Sequence, residues 1–293
     1  MNNIIECINS NEVSYHGQNT DKFEKLISDY VGAYAVLTNS GTSALHLVYA
    51  ICDMAGSEVL VPSVTYIATV NPMTYCNIAP HFVDSNKHDL NISVDKLETY
   101  INTINVRRIG AITVVHVLGN PCDMDGIMRI ANKHNLIVIE DAAQGLGSFY
   151  DGKHVGTIGD FGTISFNGNK VLTTGSGGAL LTKKKSLAHK AKHLSRQCRM
   201  QTRQSMHDGI GYNYRMPALN ASLGLDQWEQ KKKFFENQKN LSARQKIVSN
   251  NWKRIDEDGD PIWQPIHLQK PYKNCKSMDL SGAEWIGENI KIK

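Results

Sequence analysis

The sequence predicts an α/β fold with a mainly parallel central sheet flanked by helices. Short apolar runs of strand type alternate with stretches of helical spacing from about residue 33 to 182. Val59-Leu60-Val61 reads as a buried strand that Pro62 ends, and Leu136 to Asp141 ends at the small-residue turn Ala142-Ala143-Gln144-Gly145, where ligands of open α/β sheets sit. No internal repeat or low-complexity segment breaks the alternation.

In chain order, residues 20–31 (TDKFEKLISDYV) set Phe23, Leu26, Ile27 and Tyr30 on one helical face, with Thr20 or Asp21 as cap and Gly32 as stop. Ala35 to Thr38 reads as a strand, Asn39 to Ser43 as a turn of small polar residues, and Ala44 to Cys52 as a helix. Such a turn at a helix start is either an anion site, through its unpaired N–H groups and the helix dipole, or an ordinary cap. Tyr66 falls in a loop or at a helix start after the next strand, where its ring stacks on a flat ligand or packs in the core. His81 to Val83 and Gly110 to Val117 read as strands, and Asp95 to Thr103 and Asp125 to His134 as helices. Asp141, at the end of LIVIED, either meets a ligand outside the sheet or caps the next helix.

The strand-like run Phe161 to Phe166 leads into SFNGNKVLTTGSGG, residues 165–178, with Lys170 at its centre. A free lysine titrates near ~10.4. Burial and nearby positive charge lower that value and make the amine a usable nucleophile, whereas a solvated loop lysine has no such role. Gly175, Gly177 and Gly178 would let backbone close around a bulky ligand. Residues 183–250 are richer in helix formers and charge. Within them GYNYRMPALNASLGLDQ (211–227) reads as a loop entering a helix, with Pro217 in its first turn. Beyond Asn250 the text is rich in turns.

A length of 293 residues predicts one large domain, or a large domain with a smaller companion. The apolar fraction of 41% and charged fraction of 20% are those of a soluble globular protein. A net charge of +4 does not point to nucleic acid, and Lys183-Lys184-Lys185 and Lys231-Lys232-Lys233 read as solvated faces or turns. The scattered cysteines form no C-x-x-C pair, which predicts free thiols in a reducing cytoplasm. His189 and His193 sit four apart on a helical stretch without a companion glutamate motif, so no metal site is expected. No signal peptide or membrane-spanning run is expected either.

Five motifs stand in one order: NSGTSAL (39–45), VPSVTYIAT (61–69), EDAAQGLGS (140–148), SFNGNKVLTTGSGG (165–178) and GYNYRMPALNASLGLDQ (211–227). This set resembles the DegT/DnrJ/StrS family of pyridoxal-phosphate-dependent sugar aminotransferases, which have the fold type I, aspartate-aminotransferase fold. The SFNGNK form looks most like the branch that aminates UDP-linked 4-keto-6-deoxy-N-acetyl sugars, the bacillosamine and legionaminic-acid type. The resemblance implies that Lys170 holds the cofactor as a Schiff base and later moves the substrate proton. Asp141 would pair with the pyridine nitrogen, Tyr66 would stack on the ring, and Gln144 would lie near the ring hydroxyl. Thr42, Ser43 and Ser165 would hold the phosphate. Asn213 would reach the phosphate of a neighbouring subunit, so that a homodimer shares its sites. The implied partners are a nucleotide sugar and an amino donor, glutamate, in polysaccharide or lipopolysaccharide biosynthesis. Lys170 argues against the sister branch, which carries histidine there and dehydrates.

Departures from the family pattern lie toward the C-terminus. Between about Asn250 and Pro261 the expected small-domain elements are missing, and the family text resumes at IWQPIHLQKPY and SGAEWIGEN. The expected organisation is a large cofactor-binding domain over 1–240 and a truncated small domain over 241–293. An impaired relic that keeps the fold and the cofactor is the alternative to an active enzyme. A nucleotide-binding oxidoreductase is disfavoured because no G-x-G-x-x-G follows the first strand.

Overall fold

The computed structural model describes residues 2–15, 17–200, 202, 204–242, 247–248 and 255–292. Two helices, α1 (Asn2–Asn9) and α2 (Gln18–Val31), lead into β1 (Tyr34–Thr38). Gly32 ends α2 in the left-handed region (φ 74°), its N–H bonded to Ser28 O, as expected of a helix stop. Then follow α3 (Gly41–Cys52), β2 (Glu58–Pro62), α4 (Asn71–Tyr75), β3 (Ala79–Val83), α5 (Val94–Ile101) and β4 (Ile109–Val115). The chain continues through α6 (Met124–His134), β5 (Ile137–Asp141), the small strands β6 (Phe149–Tyr150) and β7 (Lys153–His154), β8 (Phe161–Ser165) and β9 (Gly178–Thr182). After α7 (Lys185–Leu194) and the long α8 (Ala218–Ser242) come β10 (Ile247–Val248), β11 (Ile255–Pro261), β12 (Lys276–Ser277), α9 (Ser281–Asn289) and β13 (Lys291–Ile292).

The central sheet has eight strands in the order β1-β9-β8-β5-β4-β2-β3-β12. Only β9 runs against the others, pairing antiparallel with β8 and β1; the remaining neighbours are parallel. Both faces are buried, which explains why the strands read as near-continuous apolar runs. Alternate side chains divide between two cores. Leu60, Ile112, Val138, Ile164 and Leu181 face α2, α5, α6 and α8, while Val59, Val61, Ala111, Ile139 and Leu180 face α3, α4, α7 and α9. On the first face Tyr30 meets Phe149, Trp228 and Phe235 edge-on, and Gly224 lies so close to Phe23 that a Cβ would come within 2.6 Å of its ring.

The expected boundary between residues 240 and 241 falls in the last turn of α8, just before residues that lie outside those described. From Ile255 onward the chain does not stand apart from the sheet. β12 adds to its edge beside β3, and Asp84, fully buried, accepts the N–H groups of Gly282 and Ala283 at the start of α9. Lys276 Nζ bonds Glu58 Oε1 at 2.6 Å, Tyr272 bonds Asn71 at 2.6 Å, and Ser63 Oγ lies 2.6 Å from His267 Nδ1. The C-terminal segment is thus tied to the large sheet at several separate points.

Candidate active site

A cavity of about 370 Å³ opens at the carboxyl ends of the parallel strands. Ser40 follows β1, Thr65 and Tyr66 follow β2, His116 follows β4, Asp141 ends β5 and Ser165 ends β8; all of them line it. Because β9 is reversed, its amino end arrives at the same edge and brings Ser176 and Gly177. Ligands of open α/β sheets sit at this edge.

One end of the cavity is formed by the amino end of α3, a cradle whose N–H groups and dipole suit an anion. Ser40 caps α3, its Oγ accepting the Ser43 N–H at 3.0 Å, and Gly41 and Thr42 present the first turn of the helix to the cavity. The turn packs tightly: a Cβ on Gly178 would lie 2.6 Å from Gly41 N and Ser40 C, and one on Gly41 would lie 3.0 Å from Ser165 Cβ. Thr42 and Ser165 line the cavity. Ser43 does not. Its hydroxyl donates to Asn39 Oδ1 at 2.7 Å and lies 2.8 Å from Ser40 Oγ, so it holds the turn and not the wall.

The other expected residues meet deeper in the cavity. Asp141 is 5% exposed; it accepts from Thr69 Oγ1 at 2.7 Å and from the Ala143 N–H at 3.0 Å. Thr69 is itself within 2.6 Å of Thr65 Oγ1, so a hydroxyl chain fixes the carboxylate. Gln144 accepts the Leu118 N–H through Oε1 and faces the cavity. Lys170, half-buried in the turn closed by its N–H to Asn167 O, lines the same cavity as Asp141. Tyr66 is 59% exposed there, a ring with one face open. Asn213 is exposed and does not line this cavity; its carbonyl accepts from Asn39 Nδ2 at 3.3 Å.

Several residues escaped the sequence reading. His116 is fully buried and takes its tautomer from its surroundings: Nδ1 accepts the Cys122 N–H at 3.1 Å, so Nε2 donates to Glu140 at 3.0 Å. Burial alone would raise the Glu140 carboxyl. The bonds from His116 and from the Gly159 and Gly156 amides outweigh it and hold the group below the usual carboxylate range. This ionised neighbour, on the opposite face of β5, anchors the strand end that carries Asp141. Trp263 comes from the C-terminal segment and reaches the cavity 6.4 Å from the Tyr66 ring centroid. Only the Thr65/Thr69 spacing within VTYIAT was a readable signal.

His193, four residues after His189 on α7, turns toward the loop that follows the helix. It bonds Asp208 at 2.6 Å, with Cys198 alongside, and the three donor atoms lie within 4.8 Å of one another. All six cysteines are free thiols. No described helix is long and apolar enough to cross a membrane.

Residues 1–250 match the DegT/DnrJ/EryC1/StrS aminotransferase family. The chain belongs to that family. GDP-perosamine synthase of Caulobacter vibrioides is 39% identical over 264 residues, covering 89% of this chain and 68% of that protein. The UDP-4-amino-4,6-dideoxy-N-acetyl-beta-L-altrosamine transaminase of Campylobacter jejuni subsp. jejuni serotype O:23/36 is 36% identical, over 81% of this chain and 62% of its own. The PLP form of a Streptococcus pneumoniae sugar aminotransferase superposes with a TM-score of 0.87 at 22% identity, over 99% of this chain and 89% of the other, and so shares the fold. The chain is a sugar aminotransferase of this family, and its cofactor is pyridoxal 5′-phosphate. The cavity fits that group: a glycine-lined helix start for a phosphate, a buried carboxylate for a ring nitrogen, an open aromatic face and a lysine share one enclosure.

Proposed function

We propose that the protein transfers an amino group from glutamate to a 4-keto-6-deoxy sugar carried on a nucleotide, with Lys170 as the acting amine. The meeting of Lys170 and Asp141 in one cavity is the observation that carries this reading. When bound, the cofactor supplies an electron sink for the carbon that loses its proton. The chain's own residues do the rest. Thr42, Ser165 and the first turn of α3 hold the phosphate, Asp141 keeps the ring nitrogen protonated, and Tyr66 covers the ring. Gln144 would take the ring hydroxyl, and Lys170 Nζ would take up and return the proton at the donor or substrate carbon. Asn213 serves the phosphate of a partner subunit in a homodimer. Both relatives are named for nucleotide sugars, and the altrosamine enzyme for a 4-amino-4,6-dideoxy sugar. Those names differ in nucleotide, so UDP- and GDP-linked acceptors are both assayed.

The test is to load the protein with pyridoxal phosphate and add glutamate. The visible band of the lysine-bound cofactor should give way to the amine form, with release of 2-oxoglutarate. A band that forms and persists with every amino donor tried would sink amino transfer and favour the relic.

A further inference from the structure

We propose that Trp263 is the platform on which the sugar ring of the substrate lies, reading the apolar face of a 6-deoxyhexose. This inference rests on the nucleotide-sugar reading above. Among the described residues, Tyr66 and Trp263 supply the only tyrosine, phenylalanine or tryptophan rings lining the cavity. Their planes are tilted by 58° with centroids 6.4 Å apart, so the two rings cannot both lie flat on one planar ligand. Tyr66 is taken by the cofactor ring. Trp263 therefore addresses what is attached to it, and the group attached at the reacting carbon is the sugar. The nucleobase lies a diphosphate further away.

Trp263 is also held as a rigid platform would be. The residue before it, Ile262, is 2% exposed and donates its N–H to Ile290 O at 2.9 Å. Three residues after it, Ile266 is fully buried and donates its N–H to Ser63 O at 2.9 Å, and His267 bonds Ser63 at 2.6 Å. The indole between these anchors is left half-buried at the cavity, whereas most other large rings among the described residues pack in the cores. A hexose presents C–H groups on one face, and a 6-deoxy sugar adds a methyl at C6. An indole face matches that surface, while the remaining hydroxyls stay available to polar groups.

The test uses the full chain and compares wild type, Trp263→Ala and Trp263→Phe by calorimetric titration. The probes are UDP- and GDP-linked 6-deoxyhexoses, their 6-hydroxy counterparts, and free UDP and GDP. For the nucleotide that wild type binds, Trp263→Ala should weaken the 6-deoxy nucleotide sugar about tenfold and leave the free nucleotide within about twofold. Trp263→Phe should recover most of the loss, and the preference for 6-deoxy over 6-hydroxy sugar should shrink in Trp263→Ala. An equal loss for the free nucleotide would make Trp263 a base platform and overturn the proposal, as would no loss for either. Thermal melting checks that the variants fold. The titration reads ligand binding and not turnover, so a failure here with a normal response to glutamate condemns the Trp263 assignment alone. Absence of the cofactor band condemns the amino-transfer reading instead.

Discussion

Asp141 owes its orientation to its neighbours. Thr69 and the Ala143 amide each give it one hydrogen bond, at 2.7 and 3.0 Å, and burial makes those bonds count. An ionised carboxylate can hold a pyridinium; an amide of the same shape cannot. Asp141→Asn should therefore keep the cofactor in place but slow conversion by glutamate about a hundredfold, measured by stopped-flow absorbance. A rate within twofold of wild type would remove Asp141 from its assigned part. Lys170 and Asp141 were legible in the sequence because each sits at a marked place, one before a glycine run and one at a strand end. His116 was not: it falls inside an apolar run, and only the bonds to Cys122 and Glu140 show what it does. Ser43 is marked in the sequence by its place in a turn of small polar residues. It lies in the anion turn, yet its hydroxyl is used to build that turn.

The cradle depends on how closely α3 approaches the reversed strand β9. Thr38 and Ser165 both pair with Gly178, and the backbone of Ser40 and Gly41 passes where a side chain at 178 would stand. Gly178→Ala leaves no soft neighbour to move, because the clashing atoms are main chain. It should cost about 3 kcal/mol of stability and weaken cofactor binding, seen in denaturant unfolding and in the visible band. Wild-type values for both would show that the approach is slack. Alternation of strands and helices was enough to foresee a mainly parallel sheet. The reversal of β9 was not foreseeable, because GGALLT carries no mark of direction and its pairing is set by strands far away in sequence.

At the scale of the molecule, the C-terminal segment completes the cavity and must stay attached to do so. Glu58, 4% exposed, accepts from His81 at 2.9 Å and from Lys276 at 2.6 Å, and Arg108 lies 3.2 Å away. Burial would raise the Glu58 carboxyl, but Lys276 and His81 outweigh it and hold it below the ordinary range. A carboxyl lowered in the folded state contributes stability above its unfolded value, near ~4.3, and loses it as pH falls through the folded value. Lys276→Ala should therefore lower the melting temperature at pH 7, and its deficit should narrow below about pH 4. A deficit that does not change with pH would mean that Lys276 acts by packing alone. The sequence showed the family text returning at IWQPIHLQKPY, but not that this text is pinned to β2, β3 and α4, since those contacts span some two hundred residues.

The central claim is that Lys170 forms the covalent link to the cofactor in the cavity closed by Asp141. Loading the protein with pyridoxal phosphate, reducing it with borohydride and mapping the modified peptide by mass spectrometry tests it most directly. The account predicts one pyridoxyl group, on Lys170, absent from Lys170→Ala. A modification spread over surface lysines, or unchanged in Lys170→Ala, would contradict it.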